Sequence, residues 1–413
     1  LEPKADFVSQ NDYVQLHQFS KQQNVIHLIV DGFQADVFDF LMTEESVGPA
    51  YREAFSGFTF YRENLGVYPY TRFSVPAFLS GEIYKNSAVK DRFIDTILSG
   101  KNILNQAKLE GFSLDIASGS SYWVNRYASA NYDHIYSLDE DISVNPVHRQ
   151  SATLIDIALF RSAPHFLKPY IYDKQKWFSS KLFAEAAGGS ELYFKHTRFL
   201  NSLIRRMEIS REEPVYKYFH IMNTHNPMVV DASCQYRGEA VRMSRDTLTY
   251  QSNCTMGTLS LLLERFKALG IYDSSLIVIQ GDHGGWVGNY RQGPAIEFPN
   301  GAEGPEWIKS LASPLLVIKP PQAEGEFETS DQLTSLVQVP NSISEIMGWE
   351  KQYSHLSISD SPDVQQQGRS FYFYDWQRNA WEADYTGPIF QFDISGSHYE
   401  SPWLLSDVFH PPE

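Results

Sequence analysis

Asp282 and His283 sit in "GDHGG", directly after the apolar run "SLIVIQ" (275–280). An aspartate and a histidine side by side at a strand end present a carboxylate and an imidazole to one ion, and the flanking glycines let the backbone turn tightly beneath it. That mixed donor set suits zinc or manganese better than calcium. Asp31 ends "NVIHLIV" (24–30) in the same way and offers a second carboxylate, or else caps its loop. In "VYPYTRFSVPAFLSGE" (67–82), Thr71 stands just before an expected helix that tolerates Pro76 in its first turns. A threonine hydroxyl is a poor nucleophile at neutral pH. Coordination to a divalent cation lowers its pKa, and a helix N-terminus suits a phosphate lying over it. The competing reading makes Thr71 or Ser74 an N-cap.

Two further segments carry polar groups of interest. In "HIMNTHNP", His220 reads as a core histidine within a strand. His225, at the strand end, is the better candidate for binding or protonating a phosphoryl or leaving-group oxygen. In "SGSSYWVNRY", expected as a strand-end loop, Arg126 could pair with a phosphate oxygen and Trp123 could cover the organic group. The alternative is a surface arginine beside a half-buried tryptophan.

The elements that must position these groups are legible as short apolar runs. "NVIHLIV", "FSLDIAS" (112–118), "VYKYFHIM" (215–222), "SLIVIQ" and "PLLVIKP" (314–320) read as strands. "TMGTLSLLLERFKALG" (255–270) repeats apolar residues at helical spacing and closes on a glycine. Strands apolar on both faces and separated by helices predict an α/β fold: a mainly parallel central sheet sandwiched by helices. Ligands of such sheets bind beyond the carboxyl ends of the strands, where Asp31, the 118–126 loop, His225, Asp282 and His283 would converge. Residues 1–320 are expected to form this core, with a helical insertion at 150–210. The aromatic and basic cluster of that insertion, "ALFRSAPHFLKPYIYDKQKWF", would be a lid packed on the core or a membrane-facing surface. Residues 321–413 read as a helix followed by a small antiparallel β subdomain.

The 413 residues carry a net charge of −16, which excludes the basic face that nucleic-acid binding needs. No run approaches the length of a membrane span, and the first residues lack the zones of a signal peptide. The chain is therefore read as cytosolic, or as part of a protein whose membrane anchor lies upstream. Cys234 and Cys254, the only cysteines, are either unrelated thiols or a disulfide across the polar loop between them. The disulfide is the favoured reading and implies an oxidising compartment such as the periplasm.

Taken together, Asp31, the Thr71 segment, "FHIMNTHNP", "LERFKALGIYDSSLIVIQGDHGG" and "SPLLVIKPP" resemble the alkaline phosphatase and sulfatase superfamily across most of residues 24–350. The resemblance implies one metal held by Asp31, Thr71, Asp282 and His283, and a covalent intermediate on Thr71. Sulfatases carry Cys or Ser in C/S-x-P-x-R. Here that place is held by Thr71, and Val75 stands where the arginine would be, so sulfate ester cleavage is disfavoured. "TRFSVP" is similar to the T-x-x-S-x-P stretch of lipid A phosphoethanolamine transferases, and "FHIMNTHNP" to their H-x-x-G-S-H-G-P; the two cysteines fit the disulfides of those enzymes. "SYWVNRY…YDHIY" is similar to the F-W-N-R…Y-D loop of lipoteichoic acid synthases, with Val124 extra, which implies that Trp123 and Arg126 contact the transferred group. Those transferases usually have glutamate where Asp31 stands, and after "GDHGG" there is no downstream histidine like the one phosphoethanolamine transferases carry. A second metal is therefore not expected. The expectation is a phosphotransferase outside the cytoplasmic membrane with one zinc or manganese ion, taking phosphoglycerol or phosphoethanolamine from a phospholipid donor to a cell-envelope glycan. A hydrolase and a non-catalytic lipid sensor are the alternatives.

Overall fold

The computed structural model describes residues 14–138 apart from 131, 192–360 apart from 292, 368–376, 383–412, and scattered positions between 158 and 168. Its centre is an eight-stranded sheet. Across the sheet the strands follow the order Glu328–Ser330, Thr59–Tyr61, Leu316–Lys319, Leu276–Gln280, Asn24–Val30, Val215–Ile221, Ser113–Ser118 and His134–Ser137. Only Leu316–Lys319 runs against the others. The five apolar runs of the sequence are thus five strands of one sheet.

Both faces of that sheet are buried, as the unbroken apolar runs require. Ile26, Leu28 and Val30 enter one core, with Phe219 and Ile221 of the neighbouring strand. Val25 and Ile29 enter the opposite core, with Tyr216 and Tyr218. The second core also receives Phe73, Val75, Ala77, Phe78 and Leu79 of the helix Thr71–Ser80. His220 therefore has the parity of the face that carries this helix.

The helix expected over 255–270 is longer, Arg245–Ala268. It starts at Ser244, where Ser244 and Thr247 form a reciprocal capping box. The expected polar loop between the cysteines is thus the strand Tyr236–Val241 followed by the first turns of this helix. Cys254 lies on the helix and forms a disulfide with Cys234.

The segment "SYWVNRY", expected as a loop, is the helix Ser121–Ser129. The expected boundary at 320/321 falls within the core. Glu328–Ser330 pairs with Thr59–Tyr61 at the sheet edge, and the helix Val339–Ile346 packs its apolar side into the second core. The antiparallel subdomain comprises Arg369–Phe373, Ile389–Ile394 and Trp403–Phe409, paired in that order. The buried Arg369 ties it to the core by donating to the carbonyls of Glu63, Thr334 and, within the subdomain, Gly396. Leu192–Arg206 is a helix, as expected within 150–210. Most of that insertion, including most of its aromatic and basic cluster, lies outside the described residues. Among the described residues, no helix is long and apolar enough to cross a membrane.

Candidate active site

The carboxyl ends of three adjacent parallel strands, Leu276–Gln280, Asn24–Val30 and Val215–Ile221, bring the titratable groups together. Asp31 directly follows its strand in a turn whose next residue, Gly32, has φ +72°, a conformation that favours glycine. The Gly32 N–H donates to Asp282 Oδ1 at 3.1 Å, while Thr224 Oγ1 donates to Asp31 O at 2.7 Å. Three separate strand ends are thereby locked to one another. Gly284 permits an equally close approach, since a Cβ there would lie 2.0 Å from Ser310 O.

Thr71 is the first residue of its helix, and Tyr70 is the N-cap without a side-chain cap bond. Ser74 lies inside the helix and donates to the carbonyl of Asp282. Neither hydroxyl therefore caps the helix, and the capping alternative does not apply. Pro76 lies beyond the first turn, where it removes one i→i−4 bond. Gly81, at φ +76°, ends the helix. Thr71 Oγ1 donates to Asp31 Oδ2 at 3.2 Å and lies 3.4 Å from His283 Nε2.

His283 Nδ1 donates to Gly284 O at 2.8 Å, which leaves Nε2 facing the carboxylates, 3.4 Å from Asp282 Oδ2 and 3.7 Å from Asp31 Oδ1. His220, expected as a core histidine, is buried but also belongs to this centre: its Nε2 is 3.2 Å from Asp31 Oδ2. Asp31 Oδ1 and Asp282 Oδ2 are buried and have no hydrogen-bond partner. Unpartnered carboxylate oxygens under so little solvent are costly unless a cation meets them. Ligand atoms of Asp31, His220 and Asp282 all lie within 4.8 Å of one another. The mixed carboxylate and imidazole set fits a divalent metal such as zinc or manganese.

Burial alone would raise the Asp31 carboxyl. The charge on His225, the hydrogen bond to His220 and the charges of His283 and His220 outweigh it and hold Asp31 well below the usual carboxylate range. For His283, burial acts downward, but the charges of Asp282 and Asp31 and the bond to Gly284 O raise it above the ordinary imidazole value.

This centre forms the floor of a cavity of about 620 Å³. His225 lines it half-buried, its Nδ1 donating to Asn226 O at 2.7 Å, so Nε2 is the ring nitrogen left to act. Trp123 also lines it. Arg126 does not: it is held by Asp91 at 2.7 Å and by Asp95. On a helix, residues three apart share a side, but here the shared side faces Asp91 and Asp95 at one place and the cavity at the other. The cationic groups in the lining are instead Arg72 and Lys90. The rest of the wall is largely aromatic, with Tyr70 stacked on Trp286 at 6.1 Å and Tyr374 and Trp376 reaching in beyond the C-terminal strand Arg369–Phe373. Adjacency to Thr71 and to "GDHGG" was the available signal for Arg72 and Trp286; nothing local marked Lys90 or Trp376.

The sequence model of the sulfatase family matches residues 23–349. No curated protein matches the chain by sequence. Among solved structures, a protein of the alkaline phosphatase superfamily from Vibrio parahaemolyticus aligns with a TM-score of 0.53 at 12% identity, covering 94% of this chain and 83% of that one. The Ps i-CgsB protein in complex with k-i-k-neocarrahexaose aligns at 0.53 and 12%, covering 94% and 86%. The lipoteichoic acid synthase LtaP from Listeria monocytogenes aligns at 0.51 and 10%, covering 96% and 90%. The likeness is one of fold.

Proposed function

Since this chain belongs to the sulfatase family, we propose that it is a metal-dependent phosphotransferase that works through a phospho-threonine intermediate on Thr71. The observation that carries the proposal is the position of the Thr71 hydroxyl. It starts a helix at the cavity floor, 3.2 Å from Asp31 Oδ2 and 3.4 Å from His283 Nε2. Asp31, Thr71, Asp282 and His283 would hold one divalent ion, with His220 beside them. The ion would supply positive charge that lowers the pKa of the Thr71 hydroxyl and offsets charge on the phosphoryl oxygens. Helix N–H groups at the start of Thr71–Ser80 have no side-chain cap and suit phosphoryl oxygens in the same way.

Thr71 Oγ1, its proton already released to solvent, attacks phosphorus, and the bond from phosphorus to the donor alcohol breaks. His225 Nε2 gives a proton to the departing oxygen. In the second half, an acceptor hydroxyl passes its proton to His225 and attacks phosphorus, and the bond to Thr71 breaks. The donor in this proposal is a phospholipid carrying phosphoglycerol or phosphoethanolamine, and the acceptor is a cell-envelope glycan. The aromatic wall, with Trp123, Trp286 and Trp376, supports ring or acyl contacts. The disulfide supports an oxidising compartment outside the cytoplasmic membrane, where both substrates lie and where we place the chain as part of an inner-membrane protein.

The test is mass spectrometry of the protein after incubation with phospholipid in the presence of zinc or manganese. The expected result is an adduct on Thr71 that a glycan acceptor releases. An adduct released equally fast by water alone would make the enzyme a hydrolase. No adduct with any headgroup, from protein that has bound metal, would overturn the proposal.

A further inference from the structure

We propose that Arg72 and Lys90 form a subsite for a second anionic group of the substrate, a phosphate or carboxylate carried beside the reacting phosphoryl group. This rests on the reading of Thr71 as the nucleophile. Consecutive helical residues point about 100° apart, so Arg72 leaves the helix on a different side from Thr71 and does not share its target atom. Its guanidinium donates to Asp91 Oδ1 at 2.6 Å and stands 5.3 Å from the centre of the Tyr122 ring. Arg126 stands 5.0 Å from the same ring and holds the other oxygen of Asp91 at 2.7 Å. Arg72 is thereby fixed in place before any ligand arrives.

The arrangement of charge is directional. Arg72 and Lys90 are buried and line the cavity, whereas the carboxylates that act on them, Asp91 and Asp384, do not line it. The acids hold the cations from behind. Two like charges share this wall in a chain whose net charge is −16, so the pair is no part of a generally basic surface. Burial and the nearby Arg72 charge both push Lys90 below the ordinary lysine value, as expected of cations crowded away from water. An oxyanion between them would relieve that crowding through charge-assisted hydrogen bonds. Asp31 and Asp375 are the carboxylates in the lining; Asp31 is engaged by His220 and Thr71, and Asp375 belongs to the C-terminal segment. The substrate end that meets Arg72 and Lys90 is therefore anionic, and the part that meets the aromatic wall is not.

The experiment compares two unreactive ligands, propane-1,3-bisphosphonate and propylphosphonate, in Thr71→Ala protein supplied with zinc. Binding is read by the fluorescence of the tryptophans that line the cavity. The bisphosphonate should bind at least about tenfold more tightly, the worth of one charge-assisted hydrogen bond. Adding Arg72→Ala should bring the ratio of affinities close to one. Lys90→Gln, which leaves the Arg72–Asp91 pair in place, should lower the ratio as well. Equal affinities without these substitutions, or equal loss for both ligands in both variants, would overturn the subsite. Because turnover is not read, a missing Thr71 adduct would overturn the phosphotransfer proposal and leave this result standing.

Discussion

The hydroxyl of Thr71 donates to Asp31 Oδ2 at 3.2 Å, joining the first residue of a helix to the end of a strand that lies 40 positions earlier. Asp31 also meets His220 at 3.2 Å, so the carboxylate stands between the Thr71 hydroxyl and a buried imidazole. Four expected outcomes follow from this geometry and its surroundings.

Removing the hydroxyl should stop turnover and leave the fold intact. Thr71 makes no cap bond, so Thr71→Ala is expected to change stability by less than about 1 kcal/mol. The loss of kcat should be at least about a thousandfold, the scale seen when a covalent nucleophile is removed. Thr71→Ser should keep measurable activity. Steady-state rates with thermal melts check both; full activity in Thr71→Ala would refute covalent catalysis at this residue.

Metal binding should stabilise the fold through the two unpartnered carboxylate oxygens. At a free zinc concentration near 100 times Kd, linkage gives about 2.7 kcal/mol. Asp282→Asn should abolish most of the rise in Tm seen on adding zinc, and a chelator should reverse it in the parent protein. If Asp282→Asn responds to zinc as fully as the parent, Asp282 is not a ligand.

Stability should fall in mild acid because buried histidines, among them His27 and His398, are held in the neutral form. Burial lowers His27 to about 4, against the opposing bond to Gln280, and lowers His398 to about 4, against the bond to Glu63. In the unfolded chain both titrate near the ordinary value of about 6.5. Between about pH 6.5 and 4 the unfolded chain binds these protons and the folded chain does not. Their contribution is thus fully present above that window and lost as pH falls through it, at about 1.4 kcal/mol per pH unit for each histidine. Urea unfolding at several pH values checks the slope. His27→Gln should flatten it by one histidine's share, and a parallel profile would contradict the assignment.

Opening the disulfide should loosen the hairpin that it ties to the long helix. Cys234 and Cys254 are separated by 20 positions, a closure worth about 3 kcal/mol in the chain-entropy picture. The double variant Cys234→Ser, Cys254→Ser should lose about that much stability and melt at a lower temperature, with the hairpin Met228–Val230 and Tyr236–Val241 first to exchange its amide protons. Unchanged stability would show that the pairing of helix and hairpin needs no cross-link.

Five strands, the helix leading into Gly270 and the C-terminal antiparallel sheet were legible because each is written locally, as an apolar run or period that stops at a turn residue. Element ends were less so. The helix beginning at Arg245 contains a polar first half, "RDTLTYQSNC", whose helical state depends on the Ser244 cap and on packing behind it. The segment around Trp123 shows the same limit, since nothing in "SYWVNRY" distinguishes a loop from the helix that tertiary contacts select.

The sequence by itself determined which residues could do the chemistry: Asp31, Thr71, Asp282 and His283 are each marked by type and by their place beside an element end. Tertiary structure alone decided who joins them. It turned His220 from a core residue into a neighbour of Asp31, withdrew Arg126 into ion pairs with Asp91 and Asp95, and put Arg72 and Lys90 on the cavity wall. The physical reason is that periodicity specifies the face a side chain takes on its own element. Which groups meet across that face depends on strand order and register, and these are set by contacts between residues far apart in the chain, as between Gly32 and Asp282, 250 positions apart.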